Sequence, residues 1–281
     1  MKDICPTCTR EVRLDQRHCG YCTADAGYPN VRYATRPEEV ASLRKRAERV
    51  RKAVRRRKLQ AEHDLLLALG GQSRLVINRG LRQLSDWLES SNKLYETFYR
   101  RKNKGEQFKE DVWNLQRIAA ENTISPHFFE HLTIAAISAD GIGMSYYGDY
   151  SIVVREDAIA HRTTVFEENP FHFNTRHKVI SGQAPPPGYR APWPERGVLV
   201  SAKLGGQIKP GATRDDLADL LMSRSRGEAE CDFVEAHVYG DIHSECIDAV
   251  IGPPPTQRAD RLIWTRLKRL LAKNGARVTE I

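Results

Sequence analysis

Four cysteines open the chain in two matching pairs, Cys5-Pro6-Thr7-Cys8 and Cys19-Gly20-Tyr21-Cys22, with ten residues between the pairs. A two-residue spacing lets two thiolates grip one side of a metal ion while backbone N–H groups face the sulfurs. Two such pairs make a tetrahedral Zn²⁺ site. Four thiolates leave no open coordination position, so the metal is structural rather than catalytic. A second chemistry-bearing stretch runs from Glu230 to Asp248, ECDFVEAHVYGDIHSECID, where Cys231, His237, His243 and Cys246 carry further ligand atoms. On an extended strand Cys231 and His237 stand about 20 Å apart at ~3.3 Å per residue, too far to share one ion. What the stretch retains is Glu235, a carboxylate among apolar neighbours, where a charge is seldom buried without a partner.

Two further concentrations stand out. Ser145-Tyr146-Tyr147-Gly148-Asp149-Tyr150, running on through Arg155 to His161 and Arg162, mixes rings, cations and hydroxyls, a set that suits an anionic, ring-bearing ligand. Arg44, Lys45, Arg49, Arg51, Lys52, Arg55, Arg56, Arg57 and Lys58 crowd one segment. Such a segment either tracks phosphates with salt-dependent affinity or presents a solvated face. No aromatic interleaves these cations, so stacking on unpaired bases is not supported.

The elements that carry these residues follow from pattern. Pro37-Glu38-Glu39 starts a helix, with proline in the first turn and acids at the positive end of the dipole. Val40, Leu43, Ala47, Val50 and Val54 give it a narrow apolar seam that packs either on its own chain or on a second subunit, the latter making a homodimer through the 37–60 helix. Gly70-Gly71 ends that helix. From Leu75 to Asn122 the pattern reads as a helical platform with no catalytic constellation, using Leu81, Leu84, Trp87, Leu88, Leu94, Tyr95 and Phe98, then Val112, Leu115, Ile118 and Ala119. Beyond Pro126, short β-like runs over 132–137, 150–154, 198–204 and 233–239 alternate with Gly and Asp turns. The segment from Ser181 to Pro194 is too proline-rich for a regular element. Thr213 caps a helix reaching Met222, and Thr256 caps a last amphipathic helix using Leu262, Ile263, Leu267, Leu270 and Leu271. The fold class expected is α+β in three parts: a cysteine module over 1–26, a basic helical region over 36–125, and a mainly-β, split-sheet domain over 126–281 with a terminal helix.

Residues 3–24 resemble the small zinc ribbons found at the ends of many bacterial proteins, modules that bind nucleic acid, bind protein or cap a chain. Val234-Glu235-Ala236-His237-Val238-Tyr239-Gly240-Asp241-Ile242 is similar to the strand that carries the catalytic glutamate in DarT-like bacterial toxin ADP-ribosyltransferases. The resemblance covers residues 130–252 at most. It implies a toxin or defence effector that uses NAD, with Glu235 on the nicotinamide ribose hydroxyl and the acceptor, and with Tyr147, Arg155 and Arg162 as cofactor contacts. A non-enzymatic adaptor, combining the ribbon and the basic helix to bind nucleic acid or protein, fits the same residues. A nuclease using His161, Glu167, Glu168, His172 and His177 is a third reading. Transferase and adaptor separate on Glu235, which faces a cleft with Tyr147 and an arginine in the first and open solvent in the second.

Bulk properties set the frame. The chain has 281 residues and a net charge of +8, which favours nucleic acid or another anionic macromolecule as partner. No apolar run approaches the ~20 residues that span a bilayer, so no membrane partner is expected. The first residues lack the apolar core of a signal peptide, and the cysteine spacings suit a reducing compartment, so the expected location is the cytoplasm.

Overall fold

The computed structural model describes residues 3–105, 112–180, 182–223 and 232–281, with backbone alone over 112–115. β1 (Asp3–Ile4) and β2 (Glu11–Val12) pair antiparallel around the first cysteine pair. Three helices follow, α1 (Pro29–Ala34), α2 (Pro37–Arg56) and α3 (Gln60–Gln72). Next come β3 (Arg74–Arg79), α4 (Leu81–Glu89), β4 (Leu94–Tyr95), α5 (Phe98–Asn103) and α6 (Val112–Ile124). β5 (Leu132–Ser138), β6 (Tyr150–Val154), α7 (Glu156–Ile159), β7 (Thr163–Phe166), α8 (Pro170–His177), β8 (Arg190–Pro192), α9 (Arg196–Leu204) and α10 (Arg214–Leu221) form the middle. The chain closes through β9 (Glu235–Tyr239), β10 (Ile242–His243), β11 (Ile247–Gly252), α11 (Arg258–Lys273) and β12 (Arg277–Glu280).

An eight-stranded sheet of order β12-β11-β6-β3-β5-β9-β7-β8 organises the body. Its pairs are antiparallel except β11 with β12, which run parallel. One face, carrying Leu75, Ile77, Ile137, Ile152, Val154, Val165, Ala236 and Val238, belongs to a continuous core with side chains of α2, α3, α4, α9, α10 and α11. The other face bears only small separate clusters, such as Val76 with Val153 and Ala136 with Met144 and Phe233. It is this thinly covered face that leaves room for a site.

The chain is α+β with an amino-terminal cysteine cluster, a multi-stranded sheet and a terminal helix, as its sequence implied. Beside the eight-stranded sheet, β4 and β10 pair as a separate two-stranded one, and across the described residues helix at 48% exceeds strand at 20%. Four local expectations are corrected. Residues 74–79 are not helical: Leu75-Val76-Ile77, buried on both faces, are the central strand β3. An apolar run this short carries no periodicity that separates helix from strand. Because β3 lies between β5 and β6, a boundary at 125 runs through the sheet and does not divide two units. Residues 198–204 are helical, within α9, whose Leu199, Val200 and Leu204 are buried between other helices and the sheet; a helix buried on several sides loses its amphipathic signature. Arg190–Pro192, inside the proline-rich segment, is the edge strand β8, where Pro192 forfeits no ladder bond that the sheet needs.

The cationic helix also ends sooner than expected, at Arg56, where Lys58 adopts a left-handed φ of 59° and Leu59 is buried. Gly70 and Gly71 sit inside α3. A methyl group on Gly70 would lie 2.8 Å from Val200, so the glycine lets α9 come close instead of ending the helix. The α2 seam packs into the same core: Leu43 and Val54 are buried there with Ala47 and Val50 against them. That seam is spent within the chain and is not available to a second subunit.

Candidate functional site

The four amino-terminal sulfurs converge. Cys5 Sγ and Cys22 Sγ lie 3.6 Å apart, as do Cys8 Sγ and Cys19 Sγ, and all four fall within 4.8 Å of one another. Disulfide sulfurs would stand ~2.05 Å apart, so the arrangement is that of ligands around one ion. The knuckles repeat one backbone design, with Thr9 N–H donating to Cys5 O at 3.0 Å, Thr23 N–H to Cys19 O at 2.9 Å, and both threonines at φ 59°. N–H groups of Cys8 and Thr7 hold the Cys5 thiol down to about 6, favouring the thiolate that a metal needs. These four residues can hold a metal ion, and among the described residues no other group of three His, Cys, Asp or Glu side chains is so placed. Cys231 lies outside the described residues.

The module is fastened to the body through Asp3, which pairs with Arg32 and Arg36 at 2.9 Å each. Arg32 also donates to the carbonyls of Gln16, Gly27 and Arg13. Next to it, Asn30 of α1 donates to the carbonyl of His237 at 2.9 Å, reaching β9.

On the thinly covered sheet face lies a cavity of about 440 Å³. Its floor is Val76, Ala136 and Glu235; α6 supplies Arg117 and Glu121, β3 supplies Arg79, and Tyr147 stands at its edge. Register puts Glu235 there: it pairs with Ala136 of β5 and Phe166 of β7, and its side chain rises on the face that carries Val76. Glu235 is only 2% exposed, so it does not face open solvent. Two residues on, and on the same face, His237 Nε2 bonds Glu235 Oε2 at 2.8 Å. Burial pushes the Glu235 carboxyl above its ordinary range, against the pull of the His237 hydrogen bond.

The cations of this cavity differ in their partners. Arg117 pairs with Glu121 at 2.5 Å, and Tyr99 Oη donates to the same carboxylate at 2.8 Å. Arg79 has no carboxylate partner among the described residues. It donates to the Asn78 carbonyl and lies over the Tyr95 ring, 4.7 Å from its centre. Burial, with repulsion from Arg101 and Arg117, pulls its guanidinium down to about 10. A desolvated cation with no counter-charge attracts an anion into the space beside it.

A tight loop holds Tyr147 at the edge. Asn78 donates to Gly148 O at 3.0 Å and to Ser151 Oγ at 3.1 Å, while Gly148 takes φ 139° against the backbone of Arg79 and Gly80. Of the residues named for a cofactor, Tyr147 shares the cavity with Glu235, and Arg155 and Arg162 do not line it. Arg155 is exposed at the start of α7. Arg162 clamps the β9–β10 turn through the carbonyls of Tyr239 at 2.6 Å and Asp241 at 3.0 Å. Of the His161–His177 group only His172 lines the cavity: Glu167 and Glu168 share Arg176, Glu167 also pairs with Arg46, His161 packs on Tyr28, and His177 packs on Phe173.

Arg79, Arg117, Glu121 and Asn78 escaped the sequence reading because the 75–122 region looked purely helical. Two signals were present, a β-favouring Leu-Val-Ile run stopped by Gly80 and an Arg117/Glu121 pair at helical i, i+4 spacing. Compared with known protein families and with curated proteins, the chain matches none. None of its helices is long and apolar enough to cross a membrane, among the described residues.

Proposed function

We propose that the chain is an ADP-ribosyltransferase that takes NAD into the cavity above β9, with Glu235 as its catalytic carboxylate. The observation that carries this reading is the meeting of a buried carboxylate, Glu235, and an unneutralised guanidinium, Arg79, in one cavity of about 440 Å³. That volume lies within the ~300–1,000 Å³ of small-ligand sites. The likeness of the Glu235 strand to those of DarT-like toxins supports the same reading, and with it a role as a toxin or defence effector.

In this reading NAD supplies the ADP-ribosyl group, and its anionic diphosphate is the natural counter-charge for Arg79 and Arg117. Glu235 accepts a hydrogen bond from the ribose hydroxyl and places negative charge beside the ribosyl carbon as the bond to nicotinamide breaks. Nicotinamide leaves with the bonding electron pair. The acceptor nucleophile forms the new bond to that carbon and gives its proton to the Glu235 carboxylate. His237 fixes the carboxylate from the side away from the chemistry. Tyr147 offers a ring face at the cavity's edge. The four cysteines hold Zn²⁺ in the same proposal, as a closed tetrahedral site that is structural.

The test is nicotinamide release from labelled NAD, together with transfer of label to a panel of protein and nucleic-acid acceptors. Glu235→Gln should lose at least ~100-fold in rate while keeping the wild-type thermal midpoint, the loss typical of a removed catalytic acid–base group. Wild-type protein that neither hydrolyses nor transfers NAD across the panel overturns the reading.

A further inference from the structure

We propose that the outward face of α2 is a docking surface for the backbone of duplex DNA, separate from the cavity. The helix covers the sheet face that carries Leu75 and Ile77, and the cavity opens on the other. Arg44, Lys45, Arg49, Lys52, Arg55 and Arg56 are all exposed, and their side chains make no hydrogen bond or ion pair among the described residues. The acid within this stretch, Glu48, is neutralised by Arg51 at 2.5 Å.

The face is held rigid from behind. Glu39 pairs with Arg190 at 3.2 Å and accepts from Gly188 N–H at 2.6 Å. Arg46 pairs with Glu167 and lies 3.7 Å over the Tyr189 ring, and Arg57 donates to the Gly206 carbonyl at 2.9 Å. The helix thus divides its charges: Glu39, Arg46 and Arg57 fasten it to the body, and the six unpaired cations project outward.

Composition selects the occupant. Among the cations the exposed apolar residues are Ala41 and Ala53, nothing larger. A membrane-surface helix carries Trp, Phe or Leu beside its cations, and a protein interface has an aromatic or aliphatic centre. Unpaired bases need a stacking ring, and duplex RNA is told apart through 2′-hydroxyls that both donate and accept, to which a face of cations alone offers donors but no acceptor. What fits is a regular line of phosphates. From Arg44 to Arg56 the helix rises about 18 Å, and one strand of DNA passes roughly five phosphates in that distance.

Binding of a fluorescent 20-bp DNA duplex between 50 and 200 mM salt, without NAD, tests this independently of the transferase reading. Wild-type protein and Glu235→Gln should bind alike, with log K falling against log salt at a slope of about −4 to −5. Replacing the six outward cations by Gln should cost about 10³-fold in affinity at 50 mM salt and flatten the slope, with an unchanged thermal midpoint since none of the six holds the fold. The proposal is overturned if the six-fold variant binds as wild type, or if wild type does not bind at 50 mM salt. Tighter binding to single-stranded DNA, to duplex RNA or to phosphatidylserine vesicles than to the DNA duplex overturns it as well.

Discussion

Glu235 and His237 project from the same face of β9 and meet at 2.8 Å. Burial raises the Glu235 carboxyl, and the His237 hydrogen bond works against that rise. If the carboxylate is the active form, rate falls on the acid side as Glu235 takes up a proton, and the midpoint lies above the ~4.3 of a free glutamate. Removing the hydrogen bond removes the influence that holds this pKa down. His237→Ala should therefore shift the acid limb of the kcat/KM profile to higher pH, while His237→Gln, which can still donate, shifts it less. Coincident limbs in all three proteins would show that Glu235 does not titrate in the reaction.

Elements decide how these side chains are held, and the loop between β5 and β6 is the most constrained of them. Gly148, at φ 139°, has no room for a Cβ, which would overlap the Arg79 carbonyl carbon and the Gly80 nitrogen. Gly148→Ala should cost about 1–3 kcal/mol, read as a lower urea midpoint, and should raise the KM for NAD by moving Tyr147 from the cavity edge. A folded variant with unchanged KM would remove Tyr147 from the site. The same loop shows what the sequence could carry. Glu235 and Tyr147 were legible because a polar residue in an apolar strand and a cluster of rings stand out in one dimension. Arg79 was not legible, since its role depends on β3 entering the sheet between strands that follow it by more than fifty residues. The cysteines were legible outright, because metal-ligand spacing is local. α9 was misread since its burial on several sides comes from neighbours far along the chain.

At the scale of the molecule, the cysteine module and the body are joined by charge more than by apolar contact. Cys5, Val12, Cys19 and Ala26 form a small cluster of their own, and Asp3 with Arg32 and Arg36 bridges it to the remainder. Metal analysis should return one zinc per chain. Stripping that metal with a strong chelator should loosen the backbone at Arg10, Arg13 and Arg17 so that trypsin cleaves there, while the body keeps one cooperative unfolding transition. The midpoint should drop by a few degrees, reflecting roughly 1–2 kcal/mol for the hydrogen bonds that Arg32 loses. Resistance of the module to trypsin after complete metal loss would show that the thiols need no ion to fold.

Strand order carries a last consequence. β9 lies between β5 and β7, both of which end before residue 167 while β9 begins at Glu235. While a ribosome is still making the chain, those two strands have no direct partner in each other, and the place between them waits for residues 235–239. Helices of the amino-terminal half can form early, since their contacts are local and domains fold as they emerge. The carboxylate that the proposed chemistry depends on is thus delivered only after β5 and β7 have both been made. A chain stalled before residue 235 lacks the Glu235 floor of the cavity, so under the proposed reading it carries no complete site.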